Sequence, residues 1–402
     1  MPHHELPVIL LKLLKLNRKG MGKLLAALFL MLFPLTARAE ITIRIFTRTK
    51  PSSAVFTPLA GNYYLKFSTF DSILVKPGEP VVITRFNSGV IFRTIAGKSL
   101  AADSISIRPV SDSQMFTLRA PGKNEAQKTL DGILRIKPFP GSLLILNITD
   151  IENYLPGVVS AEAGIRGPSE YFRTQAVVAR TYVYRHEERH LLDGYNVCDD
   201  THCQVYPGII SDSVIIKACQ STKDKVLVDK DSVLIISAFH GNCGGQTASS
   251  GDVWVTSQPY LVSVNDPYCG SAQNARWEKR IPGTEWQAFL RSKNIVPYQN
   301  PDPASVQQAQ IKRSRYCIVY GNEIPSEDIR QAFKLKSSFF SLVPVADSAL
   351  VKGRGYGHGV GLCQDGARVM ASKGKNYAEI TGFYYPGTII TDIKNARRPE
   401  RP

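Results

Sequence analysis

Beyond position 40 the chain has no stretch of about 20 apolar residues, which excludes a membrane-spanning helix in that part. No long Lys/Arg run and no RNA-binding aromatic motif is present, so nucleic acid is a poor partner despite a formal charge of +15. There is no internal repeat and no low-complexity tract, which excludes repeat architectures. With 43% hydrophobic residues, disorder is excluded as the main state.

What is there begins with a short basic entry at Met21-Gly-Lys23, an apolar run from Leu24 to Leu35, and small residues at Ala37-Arg-Ala39. That three-part layout is the one of a secretory signal peptide, with residues 1–20 as an upstream extension and Met21 as the expected start. Residues 1–39 carry six Lys/Arg and one Glu, which leaves the remainder at about +10. A basic exported protein suits an anionic polymer such as an envelope glycan. No lipobox follows the leader, so the expected location is the periplasm or the cell surface, without an anchor in the mature chain. Seven cysteines in an oxidising compartment pair or hold metal, and an odd count leaves at least one otherwise engaged.

Residues 40–140 read as a small β-rich region, with strands at 41–46, 81–86, 104–110 and 132–137 separated by Gly/Pro/Asn/Asp turns. From 141 the pattern mixes, which makes the fold class α+β with mixed sheets and one long helix. That helix spans about 169–190 and buries Phe172, Ala176, Ala179 and Val183, while Arg173, Arg180 and Glu187 fall elsewhere. Strands follow at 226–229 and 233–239. A more variable insert at 282–350 carries helices near 284–293 and 326–335 and a loop at 297–303. The Gly-rich run at 353–361 leads into a helix at about 362–373, and 391–402 is a basic tail.

Four segments could carry chemistry. Glu162 lies in Tyr154-Leu-Pro-Gly-Val-Val-Ser-Ala-Glu162-Ala, flanked by small or apolar residues. Poor solvation there pushes a carboxyl pKa upward, which suits a general acid, although a partly exposed helix-end Glu has the same local sequence. No partner carboxylate is obvious; Asp252 and Asp266 are the candidates if the chemistry needs two. The second segment, 196–206, and the third, 239–269, hold Cys198, His202, Cys203, His240, Cys243 and Cys269, which with His190 are residue types from which zinc sites are built. The fourth is the Gly-rich run around His358. Its glycines are spaced by two, so it is not a phosphate loop and reads as close backbone approach to a strand or a sugar chain. His358 is then either a groove residue or a buried hydrogen-bonded one. Trp254 and Tyr260 fit a core or groove wall.

These segments together resemble the SpoIID/LytB family of cell-wall proteins. The matching stretches are 154–163, 175–182, 204–206, 240–247, 353–367 and 384–387, in order along a region of about 140–390. The resemblance implies a SpoIID-like catalytic region at 141–390. It implies a peptidoglycan lytic transglycosylase that cleaves denuded strands between N-acetylmuramic acid and N-acetylglucosamine, leaving 1,6-anhydro-muramic ends. Glu162 matches the family's catalytic acid. A single carboxyl group suffices for such a reaction, because the attacking hydroxyl belongs to the substrate and the same group can give and retake the proton. Gln204, Tyr206, His240, Arg354, His358 and Gln364 are the expected sugar contacts. No cofactor is required for the chemistry. A structural zinc on His190, Cys198 and Cys203 resembles the His-and-two-Cys site of some members, against a disulfide framework with Cys243–Cys269 as the preferred pair. The alternative activity is non-catalytic glycan binding that activates a cell-wall amidase partner. A zinc-dependent wall amidase is the weakest reading.

Overall fold

Strands at the start of the chain alternate buried and open positions, as in Glu40–Ile45, where Ile41, Ile43 and Ile45 are buried. That period-2 pattern makes one apolar face per strand, and two such sheets close on each other. The computed structural model describes residues 39–400 except 69–70, 112–113, 123–125, 296–309 and 346–347. The leader read at 1–39, save Ala39, and the loop read at 297–303 lie outside the described residues.

The first sheet has seven strands in the order Val197–Cys198, Glu40–Ile45, Ser142–Asp150, Ile133–Phe139, Ile105–Pro109, Tyr63–Lys66, Ser72–Val75. It is antiparallel except where Val197–Cys198 runs parallel to Glu40–Ile45. The second sheet has six strands and includes Ser53–Pro58, Val81–Phe86 and Met115–Ala120. Phe56 of the second sheet meets Tyr63 of the first with ring centroids 5.3 Å apart, and Phe116 of the second closes on both. The strands expected at 41–46, 81–86, 104–110 and 132–137 are present as Glu40–Ile45, Val81–Phe86, Ile105–Pro109 and Ile133–Phe139. The boundary expected at 140 falls in a hairpin, since Phe139 pairs with Ser142. The β-rich region and the segment after it therefore share a sheet.

Ser142–Asp150 is buried along nearly all its length and feeds directly into helix α1, Ile151–Ala163. Asp150 caps it by accepting from the Glu152 N–H at 2.8 Å. Two further helices, α2 (Ser169–Arg185) and α3 (Ser213–Ser221), pack with α1. Helix α2 stops at Arg185 rather than at 190. Its residues Phe172, Ala176, Ala179 and Val183 are buried as expected. Arg180 is the exception to the expected pattern: it is fully buried, because Glu152 pairs with its guanidinium through two hydrogen bonds of 2.7 Å. The segment at 233–239 is not a strand along its length. Its amides bond instead to separate partners, Leu234 to Arg397 O, Ile235 to Leu227 O and Ile236 to the Tyr260 hydroxyl, and only Phe239–His240 is regular.

The chain continues through α4 (Ser250–Val253) to the insert, where α5 (Gly283–Ser292) and α6 (Ser326–Ala332) flank a three-stranded sheet. Residues from Ile281 to Val351 form a core of their own around Trp286, Leu290 and Leu342. Helices α7 (Gln364–Ser372) and α8 (Tyr377–Tyr384) then return to α2. Among the described residues no helix is long and apolar enough to cross a membrane.

Candidate active site around Glu162

Glu162 occupies the last turn of α1 and is half-buried. Burial pushes its carboxyl pKa up; the hydrogen bond that Oε1 accepts from the Val205 N–H at 3.0 Å pulls the other way. Among the described residues no second carboxylate perturbs it. The carbonyls at the end of α1, which lack helical partners, are taken by α7. Gln364 Nε2 donates to Glu162 O at 2.8 Å and an Arg368 NH donates to Ala163 O at 3.0 Å. Gln364 thus meets the backbone of Glu162, and the Gly-rich run before it ends docked on the candidate acid.

Val205 is held by the segment before it. Asn196 Oδ1 accepts from Thr42 N, and Asp199 accepts from the Phe46 and Thr47 amides, so residues 196–203 are fastened to the edge of the first sheet. That segment brings four ligand groups together: those of His190, Cys198, His202 and Cys203 all lie within 4.8 Å of one another. Cys203 Sγ is 3.5 Å from His190 Nε2 and 3.6 Å from His202 Nδ1, and Cys198 Sγ is 3.9 Å from His202 Nδ1. A tetrahedral zinc spaces its donors roughly 3.3–3.8 Å apart, so the set fits. Asp193 Oδ2 stands 3.4 Å from His190 Nδ1, the position from which a carboxylate orients a ligating imidazole. Hydrogen bonding between the thiols draws Cys198 down to about 5 and pushes Cys203 up. His202 was left out of the three-residue set expected from the sequence; its place beside Cys203 is the signal that would have found it.

Of the expected sugar contacts, Gln204 and Tyr206 are both buried. Gln204 is 2% exposed and lies between the Tyr154 hydroxyl and Ala179 O, because the Val205 contact turns its neighbour inward. Tyr206 is fully buried and packs against Tyr154 with centroids 4.7 Å apart and ring planes tilted by 50°. Both support α1 from beneath instead of facing a ligand. Gly157 makes this approach possible, since a Cβ there would lie 2.3 Å from Gly208 O and 2.9 Å from the Tyr206 ring. Gly157→Ala is therefore expected to destabilise the fold by about 1–3 kcal/mol, the usual cost of overpacking, and chemical denaturation of the variant measures it.

His240 is also buried, with Nδ1 against Val360 O at 3.1 Å and burial holding its pKa well below the usual imidazole value. His358 is half-buried, accepts from Val360 N at 3.0 Å, and lies against His240 and Trp254. Burial lowers it to about 4. Both are neutral at physiological pH. Tyr260 is buried and Trp254 partly so, in line with core and wall positions. The Gly-rich run approaches another backbone closely: Asn242 and Tyr356 exchange amide bonds of 3.1 and 2.8 Å. Arg354 is turned toward the insert, stacked on Phe339 at 3.8 Å and donating to Gln310 O and Ile311 O. Its guanidinium is committed there, not held free for a sugar.

The pair expected as a disulfide, Cys243 and Cys269, stands as two thiols 3.3 Å apart. Cys363 and Asp266 share their site, which is a four-group cluster and not a simple pair. Asp266 therefore drops out as a second catalytic carboxylate, being 3% exposed and bonded to the Tyr384 hydroxyl at 2.9 Å. Asp252 is exposed on α4.

Residues 140–228 match the family model for Stage II sporulation protein. The chain is 31% identical over 290 residues to an uncharacterized protein of Brachyspira hyodysenteriae, covering 68% of this chain and 77% of that protein. It is 28% identical over 262 residues to Stage II sporulation protein D of Bacillus subtilis, covering 60% and 74% of the two chains. Against the amidase enhancer of Bacillus subtilis it is 29% identical over 289 residues, 59% of this chain but only 40% of that one.

Proposed function

The chain belongs to the SpoIID/LytB family of cell-wall proteins, and from that premise we propose that it is a peptidoglycan lytic transglycosylase working outside the cytoplasm. The observation that carries this reading is Glu162, a half-buried carboxyl raised by burial, steadied by one backbone N–H and, among the described residues, perturbed by no second carboxylate. Hydrolysis by the usual glycosidase route takes two carboxylates, one for the leaving oxygen and one for water or the sugar. A lone group fits a reaction whose nucleophile comes with the substrate. Glu162 donates its proton to the glycosidic oxygen as the C1–O bond breaks. The 6-hydroxyl of the same muramic residue bonds to C1, and its proton passes to the Glu162 carboxylate. The acid is thereby restored, and the product carries a 1,6-anhydro end. No water is consumed.

The test is incubation of purified protein with stem-peptide-free glycan strands, with products read by mass spectrometry. Anhydro-muramic ends are the expected result. Free reducing ends would overturn the mechanism and place a second carboxylate in the reaction. No cleavage, with stimulation of a wall amidase, would favour the second reading, glycan binding that activates a partner, for which the resemblance to an amidase enhancer is the supporting observation.

His190, Cys198, His202 and Cys203 would hold a zinc ion in this reading. The ion would supply a fixed crosslink that keeps the segment preceding Val205 in place, and the proton transfers remain with Glu162. Cys198→Ser is expected to lower the zinc content by one ion per chain, measured by elemental analysis. It should also speed amide exchange at Val205.

A further inference from the structure

We propose that Cys243, Asp266, Cys269 and Cys363 form a second metal site, a three-thiolate, one-carboxylate centre for a zinc ion. The four ligand atoms lie within 4.8 Å of one another. Cys243 Sγ is 3.3 Å from Cys269 Sγ and 3.1 Å from Asp266 Oδ2, close to the edge lengths of a tetrahedral zinc shell. The three sulfurs are fully buried and Asp266 nearly so.

The surroundings are arranged for sulfur that carries negative charge. Cys363 Sγ accepts from the Cys243 N–H at 3.2 Å and from the Gly366 N–H at 3.4 Å, and Cys269 Sγ accepts from the Gly245 N–H at 3.3 Å. Cys363 is the N-cap of α7, so the positive end of that helix faces its sulfur. Amide donors aimed at sulfur stabilise thiolate over thiol, and thiolate is the form that binds metal. Arg313 adds a cation next to the site, donating to Cys243 O at 2.8 Å. The carboxylate is seated with equal care. Asp266 Oδ1 accepts from Tyr268 N and Oδ2 from the Tyr384 hydroxyl, and a Cβ on Gly366 would lie 2.4 Å from Oδ2. A disulfide between Cys243 and Cys269 would use two sulfurs and leave a buried third thiol and a carboxylate pressed against it. Three thiolates, a carboxylate and a tetrahedral spacing suit zinc better than a hard cation.

The site ties the turn after His240, the loop through Cys269 and the start of α7. Gln364, next to Cys363, donates to Glu162 O. The metal therefore fixes the element that closes over the end of α1.

The experiment measures metal in the full chain with the first cluster disabled. Cys198→Ser protein, purified with zinc present, is expected to retain one zinc per chain, and Cys198→Ser/Cys363→Ala to retain none. Cobalt loaded into Cys198→Ser protein should give visible bands of tetrahedral geometry together with thiolate charge-transfer absorption. Asp266→Asn preserves shape and should keep the sulfur bands while shifting the others, a check that stands if the cysteine variant fails to fold. Cys198→Ser protein without metal, whose digest yields a peptide pair joined through Cys243 and Cys269, would overturn the proposal. The readouts do not depend on glycan cleavage, so they stand or fall separately from the activity proposed above.

Discussion

Glu162→Gln is expected to abolish formation of anhydro-muramic ends, a loss of about 100- to 10,000-fold for removal of a general acid–base. The amide is nearly isosteric, and its oxygen can still accept from the Val205 N–H, so the fold should survive. What disappears is the proton that the leaving oxygen needs. Cleavage that persists in Glu162→Gln at near wild-type rate would sink the assignment. The pH dependence follows from the same burial. The protonated form is the active one, and its pKa is raised from 4.5, so cleavage should hold at acid pH and fall as pH rises through that raised value. Stability carries the matching sign. Both folded and unfolded states hold the proton below 4.5, so burial costs nothing there; above it the unfolded chain ionises freely while the folded carboxyl resists. Folded-state stability is therefore lost as pH rises from 4.5 through the raised value. Glu162→Gln, which cannot ionise, is expected to melt above wild type at pH 8 and level with it at pH 4, by calorimetry at both pH values.

That this carboxyl would be poorly solvated is readable from its small and apolar neighbours, but the helix that carries it is not. Pro156 and Gly157 within Ile151–Ala163 are residues that usually end a helix, and Pro156 gives up one amide bond there. The helix persists because Asp150 caps it and because Tyr154, Leu155, Val158 and Val159 are buried, tertiary gains that local propensity does not register. The two candidate metal-ligand clusters divide in the same way. His190, Cys198, His202 and Cys203 lie close together in the chain, so their grouping is visible in the sequence. Asp266, Cys269 and Cys363 reach Cys243 only through the fold: Cys363 arrives with the parallel pairing of Phe239–His240 and Leu362–Cys363. Gln204 and Tyr206 misled for a related reason. Polar and aromatic residues near a site are as fit to brace it as to touch a ligand, and only burial separates the two roles.

Arg180→Met is expected to be the most destabilising single change away from Glu162, by about 3–5 kcal/mol, the cost of stripping one partner from a buried ion pair. The guanidinium has no exposed surface and the Glu152 carboxylate is 18% exposed, so solvent screens the pair little. Arg180 also donates to Cys219 O and Lys225 O, at 3.2 Å each, so its loss takes a donor from two carbonyls as well as from the carboxylate, although Cys219 O keeps the Thr222 N–H and hydroxyl. The pair joins α1 to α2 at the end of α1 opposite Glu162, and α3 enters through Cys219. Helical residues that read as polar by pattern can thus be the fastening of the interior. Removing both charges tests whether the effect comes from the stranded partner or from lost packing. Arg180→Met/Glu152→Leu should recover a substantial part of the loss, because no uncompensated carboxylate remains buried. Denaturant unfolding of the two singles and the double gives the coupling directly. Additive losses would mean that Arg180 acts by packing and by its carbonyl contacts, and that the pairing with Glu152 contributes little.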